Sequence, residues 1–379
     1  MDQTPFAFDS HPADPRAGFD IGWDHAHHGL VPPPEQLFDG NPVRLGWQAG
    51  KACFGAHTLG ASRRVRQWLQ LRLQAWQRGI AFELSQVTPH YLGQIEVAMC
   101  PITRQRVDTA QAAVNRVCDH AGYAAGNLAM LSVAAHHAKG GIAWDEALVN
   151  AQRADGAHVE SREGSGGGRV AGLDAAAWSR LAVLISFVTP LAHAQAARLP
   201  LLLQPPNRLR LLNPVQGLQA LVTRELGLPD GARRLRELRA RLPNEALRQD
   251  FNLLLSALLP RLIEARRTED AWTLRHALED AWRDARVNRC WQRFALQLDE
   301  AQAEKLLQGF VKSAATGTHV MLHARDAATE GWALDTRGRV PSAATAERWQ
   351  RTLIAPEEHG VRARITPSRV RIPDGHLPA

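Results

Sequence analysis

The chain is poor in lysine. Lys51, Lys139, Lys305 and Lys312 are its four lysines, against 45 Lys and Arg together in 379 residues. The positive charge is therefore carried by arginine, which pairs bidentately with phosphate and stacks on bases; GC-rich coding produces the same bias. Cysteine is scarce and unpaired. Cys53, Cys100, Cys118 and Cys290 form no CxxC, which excludes a standard four-cysteine zinc site and fits a reducing cytoplasm better than a disulfide scaffold. The N-terminus, MDQTPFAFDS, lacks a basic segment followed by an apolar core, so no signal peptide is expected. No long apolar run is present either. The most apolar stretch, Leu181–Leu203, is broken by Pro190, His193, Gln195, Arg198 and Pro200, which argues against a membrane span. No internal repeat stands out.

The remaining composition is that of a folded protein. Hydrophobic residues make up 45% and charged ones 22%, close to globular averages, and the length suggests two or three domains at roughly 150 residues each. The net charge of +7 and the pI near 9.8 favour polyanionic partners such as nucleic acid or an anionic membrane.

Along the chain, residues 1–60 read as irregular, with Pro32-Pro33-Pro34 and several glycines. The cluster Asp24-His25-Ala26-His27-His28 has metal-ligand chemistry, but its side chains are too close in sequence to converge on one ion, so solvated histidines are expected. Residues 61–80 predict an amphipathic helix. Val65, Trp68, Leu69, Leu73 and Trp76 form its apolar stripe, Arg63, Arg64, Arg66, Arg72 and Arg78 lie mostly off it, and Gly79 is the stop. Strand candidates fall near Ile95–Met99 and Ala112–Val117, and helices over Asn127–His137 and Ala143–Gln152. SREGSGGGRVAG at 161–172 reads as a linker. Beyond it the pattern is helical, with a stripe of Leu247, Phe251, Leu254, Leu255, Leu258 and Leu262. Arg275, Arg286, Arg289 and Arg293 share one arc of a helical wheel, with Trp282 nearby. That pattern suits a phosphate backbone and a stacked base, or simply a solvated face, since Glu279 shares the arc. Val320–Ala324 and Trp332–Asp335 suggest a hairpin.

Between residues 68 and 140 several short motifs occur in a fixed order. They are Gln77-Arg78-Gly79-Ile80-Ala81-Phe82-Glu83-Leu84-Ser85, Cys100-Pro101-Ile102-Thr103, Asn115-Arg116-Val117, Gly122-Tyr123, Gly126-Asn127-Leu128 and His136-His137-Ala138-Lys139-Gly140. The order resembles a branch of the HNH endonucleases in which a helix ending in RGI-x-F-x-L is followed by CP-x-T-G, S-x-DRID, GY-x-x-x-N and an Asn or His with x-x-K. The resemblance covers about 75 of the 379 residues and implies a ββα-metal module binding one divalent ion. It places the strand ligand on Asn115, the loop-holding Asn on Asn127, the helix ligand on His136 and a phosphate-contacting Lys on Lys139. Arg104 and Arg106 add charge beside this site.

The sequence also departs from that pattern. Asn115 and Cys118 stand at the two acidic positions; an asparagine carbonyl ligates a hard cation but brings no charge to it. Arg116 occupies the general-base position and stays protonated, which leaves His120 as the substitute base. The expectation is thus a mainly α protein: a small ββα-metal, HNH-like module at 61–155 after an irregular 1–60, a linker at 156–173, a helical domain at 174–336 and a basic tail at 337–379. It would be cytoplasmic, bacterial or phage-related, with DNA or RNA as partner through Arg63, Arg64, Arg66, Arg104, Arg106 and Lys139, no membrane, and room for a protein partner on 174–336. Two functional readings follow. One is a nucleic-acid-binding or scaffolding module that has lost catalysis. The other is an active endonuclease using Mg or Mn with Asn115, His136, His120, Arg116 and Asn127.

Overall fold

Helix signals dominate the sequence, and the computed structural model is mainly helical. It describes residues 14–107, 112–160, 168–265, 270–313, 320–322, 332 and 337–339. Among these, α1 (Pro15–His27), α2 (Pro42–Phe54), α3 (Arg63–Gln77) and α4 (Pro89–Gln94) precede a strand pair, β1 (Ala112–Arg116) and β2 (Leu128–Ser132). Then come α5 (Val133–Lys139), α6 (Trp144–Glu160), α7 (Ala175–Phe187), α8 (His193–Arg198), β3 (Arg210–Leu211) and α9 (Pro214–Gly227). The chain continues through α10 (Gly231–Ala240), α11 (Glu245–Ala265), α12 (Ala271–Asp280), α13 (Ala285–Ala295), α14 (Glu300–Ser313) and β4 (Met321–Leu322). No helix among the described residues is long and apolar enough to cross a membrane.

The segment expected to be irregular is a helical hairpin in its described part. Glycine composition suggested loops, but the glycines sit where α1 and α2 touch. A Cβ on Gly22 would lie 1.8 Å from the Val43 carbonyl oxygen, and one on Gly46 would lie 1.9 Å from that of Phe19. Small residues here permit close helix contact rather than chain reversal. Asp14 and Asn41 cap the two helices by accepting from Arg16 N and Val43 N. The histidine cluster is dispersed: Asp24 pairs with Arg72, His25 Nδ1 meets the Ile21 carbonyl at 2.8 Å, and His27 stacks on Phe54.

α3 forms as its stripe predicts. Ser62 caps it, Val65, Leu69 and Leu73 are buried, and the Trp68 indole donates to the Val87 carbonyl. Ile95–Met99 is not a strand; α4 ends at Gln94, and Met99 makes a single bridge to Arg106. Asn127–His137 is not one helix. Leu128, Ala129, Met130 and Leu131 are all buried as β2, and the helix begins only after the Ser132 cap. An unbroken apolar run carries no period that separates a two-sided buried strand from a helix.

Nor does the core divide at the expected linker. α6 runs to Glu160, and 161–167 lie outside the described residues. One hydrophobic cluster joins Cys100, Ile102, Val117 and Leu131 of the motif-bearing segment to Trp178, Leu181, Phe251 and Trp291 of the helical region. The arginine arc expected over 271–298 is interrupted, because Ala281–Arg283 form a 3-10 turn between α12 and α13. Trp282 is fully buried edge-on to Trp291, Arg275 is held by Glu279 and Arg293 by Asp250, so that pattern is not a stacking surface. Of the expected hairpin, Met321–Leu322 pair in parallel with β3 instead, and 323–331 and 333–336 lie outside the described residues. The basic tail beyond Arg339 lies there too.

Candidate nucleic-acid interface

The motif-bearing segment folds as two antiparallel strands followed by a helix. β1 pairs with β2 in the register Asn115↔Ala129 and Arg116↔Leu128. Asn127 holds the connecting loop. Its Oδ1 accepts from Cys118 N at 2.8 Å, while Nδ2 donates to the carbonyls of Cys118 (3.0 Å) and Gly122 (2.9 Å). Three hydrogen bonds from one fully buried amide satisfy backbone groups that no strand partner reaches. Gly126 has φ +94° and donates its N–H to the Tyr91 hydroxyl; a Cβ there would lie 2.4 Å from Arg210 Cγ. Cys100 Sγ accepts from Ser132 N at 3.3 Å and ties the Cys100-Pro101 turn to the β2–α5 junction.

Asn115 and His136 come together. Asn115 Nδ2 donates to His136 Nδ1 at 2.8 Å, which places the imidazole proton on Nε2. Asn115 is buried, and its Oδ1 has no hydrogen-bond partner. Burial lowers the His136 pKa, and the neighbouring charges of His137, Lys139 and Arg78 lower it further against the opposing pull of Asp119. The pair is therefore neutral at pH 7 and sits in a positive field. These residues do not fit a divalent cation: both donors are uncharged, they are bonded to each other, and the surrounding charge is mostly cationic. No group of three His, Cys, Asp or Glu side chains among the described residues is arranged to hold a metal.

The other expected site residues have different placements. Arg116 donates Nη1 to the carbonyls of Asp119 (3.1 Å) and Ala121 (2.7 Å) and lies over the Tyr123 ring, so it braces the loop. His120 is exposed, and no hydrogen bond links it to Asn115 or His136. Lys139 is not a surface cation. Its ammonium is completely buried and donates to Asp119 Oδ2 at 2.6 Å, which withdraws it from any phosphate. Arg104 also turns inward, with φ +55°, to Asp280 (2.7 Å) and Glu279 (3.2 Å). Arg63 and Arg64 both bond to Glu96. Arg106 is exposed.

Of the expected arginines, Arg66 and the Glu96-bound Arg63 line a groove of about 620 Å³ between α3 and the ββα unit. One wall carries Arg63, Arg66, Gln67, Gln70, Gln74 and Arg78; the other is formed by Ala112, Ala113 and Val114 of β1 with Val133 and His136 of α5. Among the described residues Arg66 and Arg78 have no ion-pair partner, so two guanidinium groups face the groove uncompensated. The glutamines and Arg78 were not singled out as site residues from sequence. Their signal was the spacing 63, 67, 70, 74 and 78, which puts them on one helix face.

Comparisons with protein-family models, with curated proteins and with solved structures find no match to this chain.

Proposed function

We propose that this protein binds nucleic acid in the groove between α3 and the ββα unit, without metal-dependent phosphodiester hydrolysis. The observation that carries the reading is the pair of uncompensated arginines, Arg66 and Arg78, facing His136 across that groove. Cations left unpaired in a concave polar site attract phosphate and release its counterions. The HNH-like order of motifs supports the same partner. The neutral, mutually bonded Asn115–His136 pair, and an Arg116 committed to the loop, argue against hydrolysis.

Affinity for DNA and RNA measured against salt tests the reading. Arg66→Ala and Arg78→Ala should each weaken binding and reduce the slope of log K on log salt by about 0.7–0.9, one phosphate contact apiece. A wild-type slope near zero would overturn nucleic-acid binding. Incubation with Mg²⁺ or Mn²⁺ should leave both polymers intact; cleavage that disappears in His136→Ala would instead establish the endonuclease. Glu96→Ala makes an opposite prediction. It removes a negative charge shared by Arg64 and the groove-lining Arg63, so affinity for a polyanion should rise.

A further inference from the structure

We infer that the groove takes an unpaired polynucleotide strand rather than a duplex, and that Gln70 and Gln74 contact the base edges. This inference rests on the nucleic-acid reading of the groove and adds the form of nucleic acid it accepts.

Enclosure is the first observation. To read base edges in a duplex, a helix must enter the major groove, about 12 Å wide, with both of its flanks free. The face of α3 that carries Arg66, Gln70 and Gln74 does not stand free. The ββα unit is the opposite wall of the same half-open groove, so one flank of this face is taken up by the protein itself. A volume of about 620 Å³ is that of a ligand-sized cleft, not of a channel for a duplex.

The second observation is the chemistry of the wall. Purely electrostatic tracking of a backbone needs cations alone. Here neutral carboxamides separate the arginines at 67, 70 and 74. Gln70 is exposed to the groove, and Gln67 has a buried Oε1 with no hydrogen-bond partner. A carboxamide offers a donor and an acceptor side by side, the pattern that matches a base edge. Unpaired bases present those edges on a strand, whereas in a duplex the Watson–Crick edge is occupied. From residue 63 to 78 the wall is about 22 Å long at 1.5 Å per residue. A stacked strand with one phosphate per ~3.4 Å places about six phosphates along that length. Arg66 and Arg78 would hold the backbone while the glutamines between them meet the bases.

The test uses the full chain and a labelled oligonucleotide of about ten residues, as single-stranded DNA, as single-stranded RNA and as the DNA duplex of the same sequence, at matched salt. The expected result is at least about tenfold tighter binding to a single strand than to the duplex; comparison of the two sugars identifies which polymer is preferred. Gln70→Ala/Gln74→Ala should weaken single-strand binding by about fivefold or more with an unchanged salt slope, because no charge is removed. Arg66→Ala should instead lower the slope. Duplex bound as tightly as single strand, or a double variant indistinguishable from wild type, overturns the inference while leaving nucleic-acid binding intact. Binding of no polymer at all overturns both.

Discussion

Glu279→Ala should lower the unfolding free energy by about 3–5 kcal/mol, as expected for removing one partner from a buried ionic cluster. Glu279 is 1% exposed. Its carboxylate accepts from Arg104 Nη2 at 3.2 Å, from Arg275 Nε at 3.0 Å and from the backbone N–H of Gln204 at 2.9 Å. Three separated segments thus converge on one side chain: the turn after Cys100, the loop before β3, and α12. Removing it leaves two guanidinium groups poorly compensated, although Arg104 keeps Asp280 at 2.7 Å and Arg275 keeps the Gln204 carbonyl at 3.1 Å. Those surviving contacts place the expected cost at the lower end of the range. Glu279→Gln keeps an acceptor and should cost less. Urea titration checks this: the midpoint should drop with the m-value unchanged. A loss below about 1 kcal/mol would show that the cluster is no stronger than a surface ion pair.

The same cluster shows why the hydrophobic core does not divide at 161–172. A glycine-rich stretch at 161–172 has linker composition, yet composition is local and the core is not. Arg104 reaches Glu279 and Asp280 across about 175 positions of sequence, Arg180 Nε donates to the Ile102 carbonyl at 2.6 Å, and the Trp332 indole donates to the Ala125 carbonyl at 3.2 Å. None of these partners is visible in a window of sequence. Period, by contrast, is visible: α3 and the Leu247–Leu262 stripe of α11 repeat at three and four, and both are helices with most of that stripe buried. β2 failed because every residue of Leu128–Leu131 is buried, which erases the period. The hairpin of α1 and α2 failed because its contact is made by Gly22 and Gly46, residues that also make turns.

At the candidate site, residue type was legible and partner was not. Motif order points to Asn127, Asn115 and His136, and Asn115 and His136 do meet. Burial then decides what each charged residue does. Lys139 and Arg104 look from sequence like phosphate ligands, but they turn inward onto carboxylates of the protein. Among the described residues Arg66 and Arg78 have no such partner, and that difference, invisible in the chain order, is what makes them the candidates for phosphate.

Asn115→Asp should raise the His136 pKa by about 1–3 units, the shift expected for an opposite charge within ~4 Å, equivalent to roughly 1.4–4 kcal/mol of proton affinity. In the wild type, burial and the charges of His137, Lys139 and Arg78 hold that pKa below its ordinary value. Between pH ~6.5 and the lowered folded value, the unfolded chain binds a proton that the folded chain refuses. Stability contributed by neutral His136 is therefore lost as pH falls through that window. A carboxylate at 115 reverses the sign. It accepts from Nδ1–H, so the imidazole changes tautomer and its charged form becomes the favoured one. Where the folded value comes to lie above the unfolded one, the pair contributes fully below the unfolded pKa, and the contribution fades as pH rises through the folded pKa. NMR titration of the His136 ring measures the shift directly, and urea midpoints at acidic and neutral pH measure its consequence. An unchanged His136 pKa would mean that the buried carboxyl keeps the proton itself, and the pair would stay neutral. A cationic His136 and the new carboxylate cancel, so the groove keeps the charge of Arg66 and Arg78, and the variant's affinity for polyanions at pH 6 should match that of the wild type.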